Sequence, residues 1–406
     1  MCRIDDIKGY KREVERLRNV CDFLKNTNKY TDFGVKLPHG LLICGRKGVG
    51  KTMMAEALAH DCERQIFHVD VNERNSKRIE RTFKMARKSD RAIVVIDDVD
   101  YLNLNDEDDE EFLKQIDYEM YRCKESDVFV VVTADDKENL PKYLLGNFDF
   151  DMIIELDSPT IEEACVIFKP IFDKYALDDD FDSKDFCCFA VDCTYTDVEF
   201  IFNNAARMAI SECSERISMR HLIQAGLCLK DYEPATEFDV ATAYHEVGHA
   251  VVNLLLGGDA ACIVLYGNSG GYFEEKTWYR DTYRDIERRY MVRVAGKACE
   301  EIFTDSVAIG SQKDLQRAAE EIENYLKVYG VQGFEYFSPT ELDSPAYNDA
   351  LMKKVQAELQ KYYDKAKELL AANKVLVEKF VGKLKEKFYM LHSEIYEIFD
   401  KYKSEK

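Results

Sequence analysis

The stretch Thr242-Ala-Tyr-His245-Glu246-Val-Gly-His249-Ala-Val-Val sets two histidines four residues apart, with a glutamate directly after the first. On a helix this spacing puts both imidazoles on one face, one turn from each other, where they can share a tetrahedral Zn²⁺. Glu246 then reaches a water on the metal and takes its proton, the metal having brought that water's pKa to about 7. The chemistry is that of a metal-dependent hydrolase. Only seven histidines occur in 406 residues, so the spacing is not a by-product of abundance.

A second constellation precedes it. Gly45-Arg-Lys-Gly48-Val-Gly50-Lys51-Thr52 fits G-x-x-x-x-G-K-[ST], follows the apolar run Gly40–Cys44, and leads into the helix-like Met53–His60. Glycines there let backbone N–H groups turn inward around a β-phosphate, Lys51 reaches the β- and γ-phosphates, and the Thr52 hydroxyl can ligate Mg²⁺. Some forty residues on, Arg91-Ala-Ile-Val-Val-Ile96-Asp97-Asp98 is an apolar strand ending in carboxylates, which places Asp97 beside that metal. The expected cofactors are one Zn²⁺ per chain, and ATP with Mg²⁺.

These motifs need elements to hold them. Up to about residue 157, short β-rich runs (Leu41–Cys44, Gln65–Val71, Ala92–Ile96, Val128–Thr133, Met152–Leu156) alternate with amphipathic helical patterns, the signature of a parallel sheet covered by helices. From Pro159 to about Leu229 the period is helical throughout, over Ile161–Tyr175, Ser183–Val191, Thr196–Ser211 and Met219–Ala225, which predicts a small helical lid. The polar stretch Asp231–Glu237 contains Pro234 and reads as a linker. Beyond the histidine helix, Cys262–Tyr266 and Tyr272-Phe273 predict a hairpin, and long helical patterns run to the end. The last sixty residues have irregular heptads, which predicts a packed helical hairpin rather than a free coiled coil.

Composition sets outer bounds. With 46% hydrophobic and 33% charged residues, the chain can bury sizeable cores in two or more domains. A net charge of −21 argues against a nucleic-acid partner. No apolar run approaches the ~18 residues that a membrane-spanning helix requires, and the N-terminus does not read as a signal peptide. Thirteen cysteines, scattered without Cys-x-x-Cys pairs, point to a reduced, cytoplasmic protein.

Taken together, the motifs resemble the FtsH family, membrane-anchored AAA+ unfoldases fused to a zinc endopeptidase, collinearly over nearly the whole chain. Asp6-Ile-Lys-Gly9 through Phe33-Gly-Val-Lys-Leu-Pro-His-Gly40 is similar to the family's entry into its P-loop. Cys193–Glu199 with Asn204–Arg207 is similar to its lid, and Val294–Glu301 to a helix of its peptidase. The resemblance implies an α/β AAA+ module (sheet 1–157, helical lid 158–230) followed by a mainly α-helical zinc metallopeptidase domain (231–406). It also implies a homo-oligomeric, hexameric ring acting on protein or peptide substrates. Ile309–Ala318 resembles the segment that delivers a third zinc ligand, which assigns Asp314. Ala261–Gly267 resembles the edge strand against which the family lays its substrate.

Several positions depart from the family. Asp98 replaces the glutamate that polarises the attacking water, which points to slow hydrolysis, and Asp135 stands where an asparagine senses the γ-phosphate. Leu144–Phe150 is short and contains no arginine to offer a neighbouring nucleotide, a loss worth about 10³ or more in rate. Val71–Ile79 has no aromatic residue with which to grip polypeptide, and the N-terminal membrane anchors have no counterpart. The expected function is an ATP-binding zinc endopeptidase. The alternatives are a nucleotide-gated or ATP-independent peptidase, and a non-proteolytic regulatory or binding subunit.

Overall fold

The computed structural model describes residues 3–35, 38–71, 76–99, 107–123, 126–137, 140, 152–275, 283–304, 309–330, 335–338 and 344–405. Two compact units emerge, one of Met1–Lys174 with Asp192–Glu199 and one of Tyr175–Val191 with Phe200–Lys406.

The first unit is built on five parallel strands: β1 (Gly40–Gly45), β2 (Gln65–Val69), β3 (Ala92–Ile96), β4 (Val128–Ala134) and β5 (Met152–Leu156), in spatial order β2-β3-β4-β1-β5. All five coincide with predicted runs. Leu41, Leu42, Ile43 and the whole of Ala92–Ile96 are fully buried, because helices cover both faces of a parallel sheet and every side chain must then be apolar. Around the sheet lie α1 (Lys11–Lys25), α2 (Thr27–Asp32), α3 (Lys51–Asp61), α4 (Ser76–Ala86) and α5 (Glu107–Cys123), then α6 (Ile161–Phe172). In α1 the buried residues Val14, Leu17, Val20, Cys21 and Leu24 recur every three or four positions, so one stripe faces the core. α6 starts where Thr160 accepts from the Glu163 N–H and Glu163 reaches back to the Thr160 N–H. The same Glu163 accepts from the Tyr10 N–H, which ties α6 to the start of α1. Ligands of open parallel sheets bind at the carboxyl ends of the strands, and here those ends carry the P-loop, Asp97-Asp98 and Asp135.

The second unit begins with α7 (Ser183–Phe189), the greater part of α8 (Tyr195–Ser211), and α9 (Met219–Leu229). Its centre is α10 (Val240–Leu255), the histidine helix, apolar on almost every side and buried from Glu246 to Leu254. The hairpin β6 (Ala260–Tyr266) and β7 (Gly270–Glu275) follows, then α11 (Tyr283–Phe303), α12 (Gln312–Asn324), α13 (Pro345–Ala372), α14 (Lys374–Lys387), β8 (Tyr389–Leu391) and α15 (His392–Ser404). The terminal helices pack into the same core as α10, through Leu370, Leu376, Phe380 and Leu384 among others, and form no free coiled coil.

One expectation is overturned. Ala261–Gly267 is not an edge: β6 pairs antiparallel with β7 on one side and with β8 on the other, Cys262 opposite Leu391 and Val264 opposite Tyr389. The edge beside the histidine helix is β7. β8 is three residues long and lies over a hundred residues downstream, so no local pattern announces it.

β8 leads directly into α15, whose first turn is satisfied by Asp185 of α7. This buried carboxylate accepts from the Ser393 N–H at 2.8 Å and from its hydroxyl at 2.5 Å, a favourable place for negative charge. Asp185→Ala leaves both donors without this acceptor and is expected to destabilise the second unit by about 2 kcal/mol. Chemical denaturation followed by tyrosine fluorescence measures this, and an unchanged midpoint contradicts it.

Candidate metal centre and nucleotide site

α10 starts at Asp239, which accepts from the Ala241 N–H and from the Thr242 hydroxyl. One turn further in, His245 and His249 project from one face with their Nε2 atoms 3.1 Å apart. Asp314 meets them from the first turn of α12, its Oδ2 3.2 Å from His245 Nε2 and 3.6 Å from His249 Nε2. One donor atom from each of the three residues lies within 4.8 Å of the other two, as ligands of a single metal ion must.

Behind the imidazoles lies α11. His249 Nδ1–H donates to the Val292 carbonyl at 2.6 Å, and His245 Nδ1–H donates to Glu300 Oε1 at 2.6 Å. A carbonyl can only accept, so His249 carries its proton on Nδ1 and turns the Nε2 lone pair inward, the arrangement that metal-binding histidines adopt. Between these two contacts is Gly296. A Cβ there would stand 2.6 Å from Nε2 of both histidines, so only glycine leaves room for the ligand atoms. Val292, Gly296 and Glu300 are spaced by four and form one stripe on α11. The helices close to this distance because Gly248, between the histidines, has no side chain: a Cβ would meet the Ala295 carbonyl at 2.6 Å.

Charge in the centre is already arranged around a cation. Burial works against protonation of His245, yet Asp314 and Glu300 outweigh it and push its pKa up to about 10. Burial likewise works against charge on Asp314, but His245 and His249 hold it well below the usual carboxylate range. Two imidazole nitrogens and the half-buried Asp314 carboxylate, with Glu300 on the far side of His245, match the donor chemistry of Zn²⁺. Glu246 is buried beside the histidines, and burial raises its pKa against the pull of His249 and His245. It bonds to the Phe273 backbone, and Gly271 passes so close that a Cβ would stand 2.7 Å from Glu246 Cγ. Strand β7 thus runs directly past the proposed base.

At the nucleotide motif, Gly45 ends β1, Gly48 lies against the Thr194 side chain, and Gly50 precedes α3 with φ of 103°. Thr52 donates to Asp97 Oδ1 at 3.2 Å, and Thr133 at the end of β4 donates to the same oxygen at 3.1 Å. Asp98 has φ of 53°, and its N–H donates to Thr133 Oγ1 at 2.8 Å. Lys51 is almost completely buried; its Nζ donates to the Gly45 carbonyl at 2.8 Å and to Asp135 Oδ1 at 2.5 Å, with Asp98 Oδ1 at 3.7 Å. Every residue singled out for chemistry in the sequence is therefore found in one of two clusters. Leu144–Phe150 and Asn72–Asn75 lie outside the described residues.

Sequence reasoning assigned no role to Val292, Gly296 or Glu300. The signal was present as the four-residue spacing, but it acquires meaning only once α11 is known to pack against α10. Glu300→Gln is expected to weaken zinc binding 10- to 100-fold, the usual effect of removing a carboxylate that orients a ligating histidine. Gly296→Ala should cost ~10-fold or more by crowding both ligand atoms. Competition with a chromogenic chelator measures both, and wild-type affinity in either variant contradicts its assigned part.

The profile of the ATPase family associated with various cellular activities (AAA) matches residues 41–156, and that of peptidase family M41 matches residues 236–398. The chain is 28% identical to an ATP-dependent zinc metalloprotease FtsH of Streptobacillus moniliformis, over 97% of this chain and 63% of that protein. It is 28% identical to the FtsH of Leptotrichia buccalis, over 88% of this chain and 51% of that protein. With the FtsH of Lachnoclostridium phytofermentans it shares 27% identity, over 95% of this chain and 72% of that protein. Against the first two, the chain spans between half and two thirds of the relative's length. No helix among the described residues is long and apolar enough to cross a membrane.

Proposed function

Because the chain belongs to the FtsH-type family of AAA ATPase and M41 zinc metallopeptidase proteins, we propose that it hydrolyses peptide bonds of unfolded polypeptides. The observation that carries this is the convergence of His245, His249 and Asp314 beside a buried Glu246. His245, His249 and Asp314 would hold Zn²⁺, which when bound would supply Lewis acidity toward a carbonyl and a water of pKa about 7.

The chain's own groups do the rest. Glu246 takes the proton of the attacking water and returns it to the leaving amine. Glu300 and the Val292 carbonyl keep both imidazoles in the ligating orientation. The β7 edge, Gly270–Glu275, offers backbone groups for an extended substrate to pair with, so selection is for an unfolded backbone rather than for one side chain. Gly45, Gly48, Gly50, Lys51 and Thr52 hold the phosphates of ATP, and Asp97 with Thr52 holds Mg²⁺. We place the protein in the cytoplasm as a homohexameric ring; the free, buried thiols of Cys123, Cys262 and Cys299 are in keeping with a reducing compartment.

A second reading is favoured by two observations at the nucleotide site. Asp98 is a short carboxylate in the place of a water-polarising glutamate, and Lys51 is engaged by Asp135. Both support a module that binds nucleotide and turns it over slowly, with cleavage of unfolded chains independent of hydrolysis.

Casein degradation and zinc content in wild type and Glu246→Gln, with and without ATP, test the peptidase. Glu246→Gln should keep its zinc and lose cleavage by about 10²-fold or more, since an amide accepts no proton. Cleavage at the wild-type rate in that variant refutes the assignment of the base, and wild-type protein that holds zinc but leaves casein intact refutes the peptidase.

A further inference from the structure

The Lys51 ammonium has three N–H bonds to give, and three acceptors already surround it. They are the Gly45 carbonyl at 2.8 Å, Asp135 Oδ1 at 2.5 Å and the Arg46 carbonyl at 3.5 Å. Only 5% of the side chain is exposed, so water offers no alternative. Asp98 Oδ1 stands 3.7 Å away as a second carboxylate within ion-pair reach. Asp97, by contrast, is held by the hydroxyls of Thr52 and Thr133. The carboxylate in closest contact with the P-loop lysine is therefore Asp135, one residue beyond the end of β4.

A lysine in this motif serves the β- and γ-phosphates. Whatever approaches Lys51 must either share the ammonium with Asp135 or displace it, and each added phosphate brings a further negative charge close to that carboxylate. The cost falls most heavily on a triphosphate, whose γ-phosphate adds a further charge within reach of Lys51. We infer that Asp135 is a specificity-determining residue that makes the nucleotide site favour a nucleoside diphosphate over the triphosphate. The inference rests on the reading of Gly45–Thr52 as a nucleotide site, and adds which phosphate chain that site prefers. The device is local. A neutral side chain of the same shape keeps a carbonyl oxygen for Lys51 and removes the repulsion.

Calorimetric titration of the full chain with ADP, and with the β,γ-imido analogue of ATP, both with Mg²⁺, tests this in wild type, Asp135→Asn, Asp135→Glu and Lys51→Ala. Wild type should bind ADP more tightly than the triphosphate. Asp135→Asn should raise triphosphate affinity by at least about tenfold, the order expected when one charge at close range is removed near a protein surface, and ADP affinity by much less. Asp135→Glu, which restores the charge, should keep the wild-type preference, and Lys51→Ala should lose both ligands. Equal gains for the two nucleotides in Asp135→Asn, or no gain for the triphosphate, overturn the inference while leaving the nucleotide site intact. Unaltered affinities in Lys51→Ala, or no binding of either nucleotide to wild type and Asp135→Asn, overturn the nucleotide site itself and the inference with it.

Discussion

The clamping of His245 and His249 between Asp314 on one side and Glu300 with the Val292 carbonyl on the other is the constraint on which the second unit depends. Such a set is costly to bury unless every polar atom has a partner and a positive charge sits at its centre. The structure meets the first condition with α11, whose Val292 carbonyl and Glu300 carboxylate engage the outward nitrogens of His249 and His245. For the second, the inward-facing nitrogens and Asp314 converge closely enough to hold one cation. Close approach of α10 and α11 makes this possible, and that approach depends on two missing side chains, at Gly248 and Gly296. Larger residues there would separate the helices and, with them, the ligands from their supports.

The first unit solves a related problem with the opposite sign. Here a lysine is buried, and carboxylates must neutralise it. Asp135 and Asp98 flank Lys51, while Asp97 is fixed by two threonine hydroxyls. A site tuned to a polyanion ordinarily leaves its cation open to the ligand; in this one an internal carboxylate takes part of the ligand's place. The histidine cluster thus brings together the donors that the proposed peptidase chemistry requires, whereas the P-loop motif sets Asp135 and Asp98 beside Lys51. The named residues of each cluster lie within one unit.

Much of this was legible in the residue pattern. The five sheet strands were visible because fully buried parallel strands are short uninterrupted apolar runs bounded by polar turns, as at Ala92–Ile96. His245, Glu246 and His249 were legible because their geometry is local to one helix, and Lys51 and Thr52 because a phosphate loop is contiguous. Asp314 was not: it lies sixty-five residues beyond His249, and only the family resemblance singled it out. Glu300 and Gly296 carried no local mark, since their part is defined by the helix they face. The misplaced edge has the same cause. The edge at Ala261–Gly267 was expected from the resemblance, and no local pattern announces its pairing with Tyr389–Leu391, a partner three residues long and far along the chain.

X-ray absorption at the zinc edge of the purified full chain addresses the three-ligand centre most directly. His245, His249 and Asp314 require a first coordination sphere of nitrogen and oxygen only, at about 2.0–2.2 Å, with the outer-shell scattering of two imidazoles. A sulfur neighbour at about 2.3 Å, or a protein that binds no zinc, would contradict it.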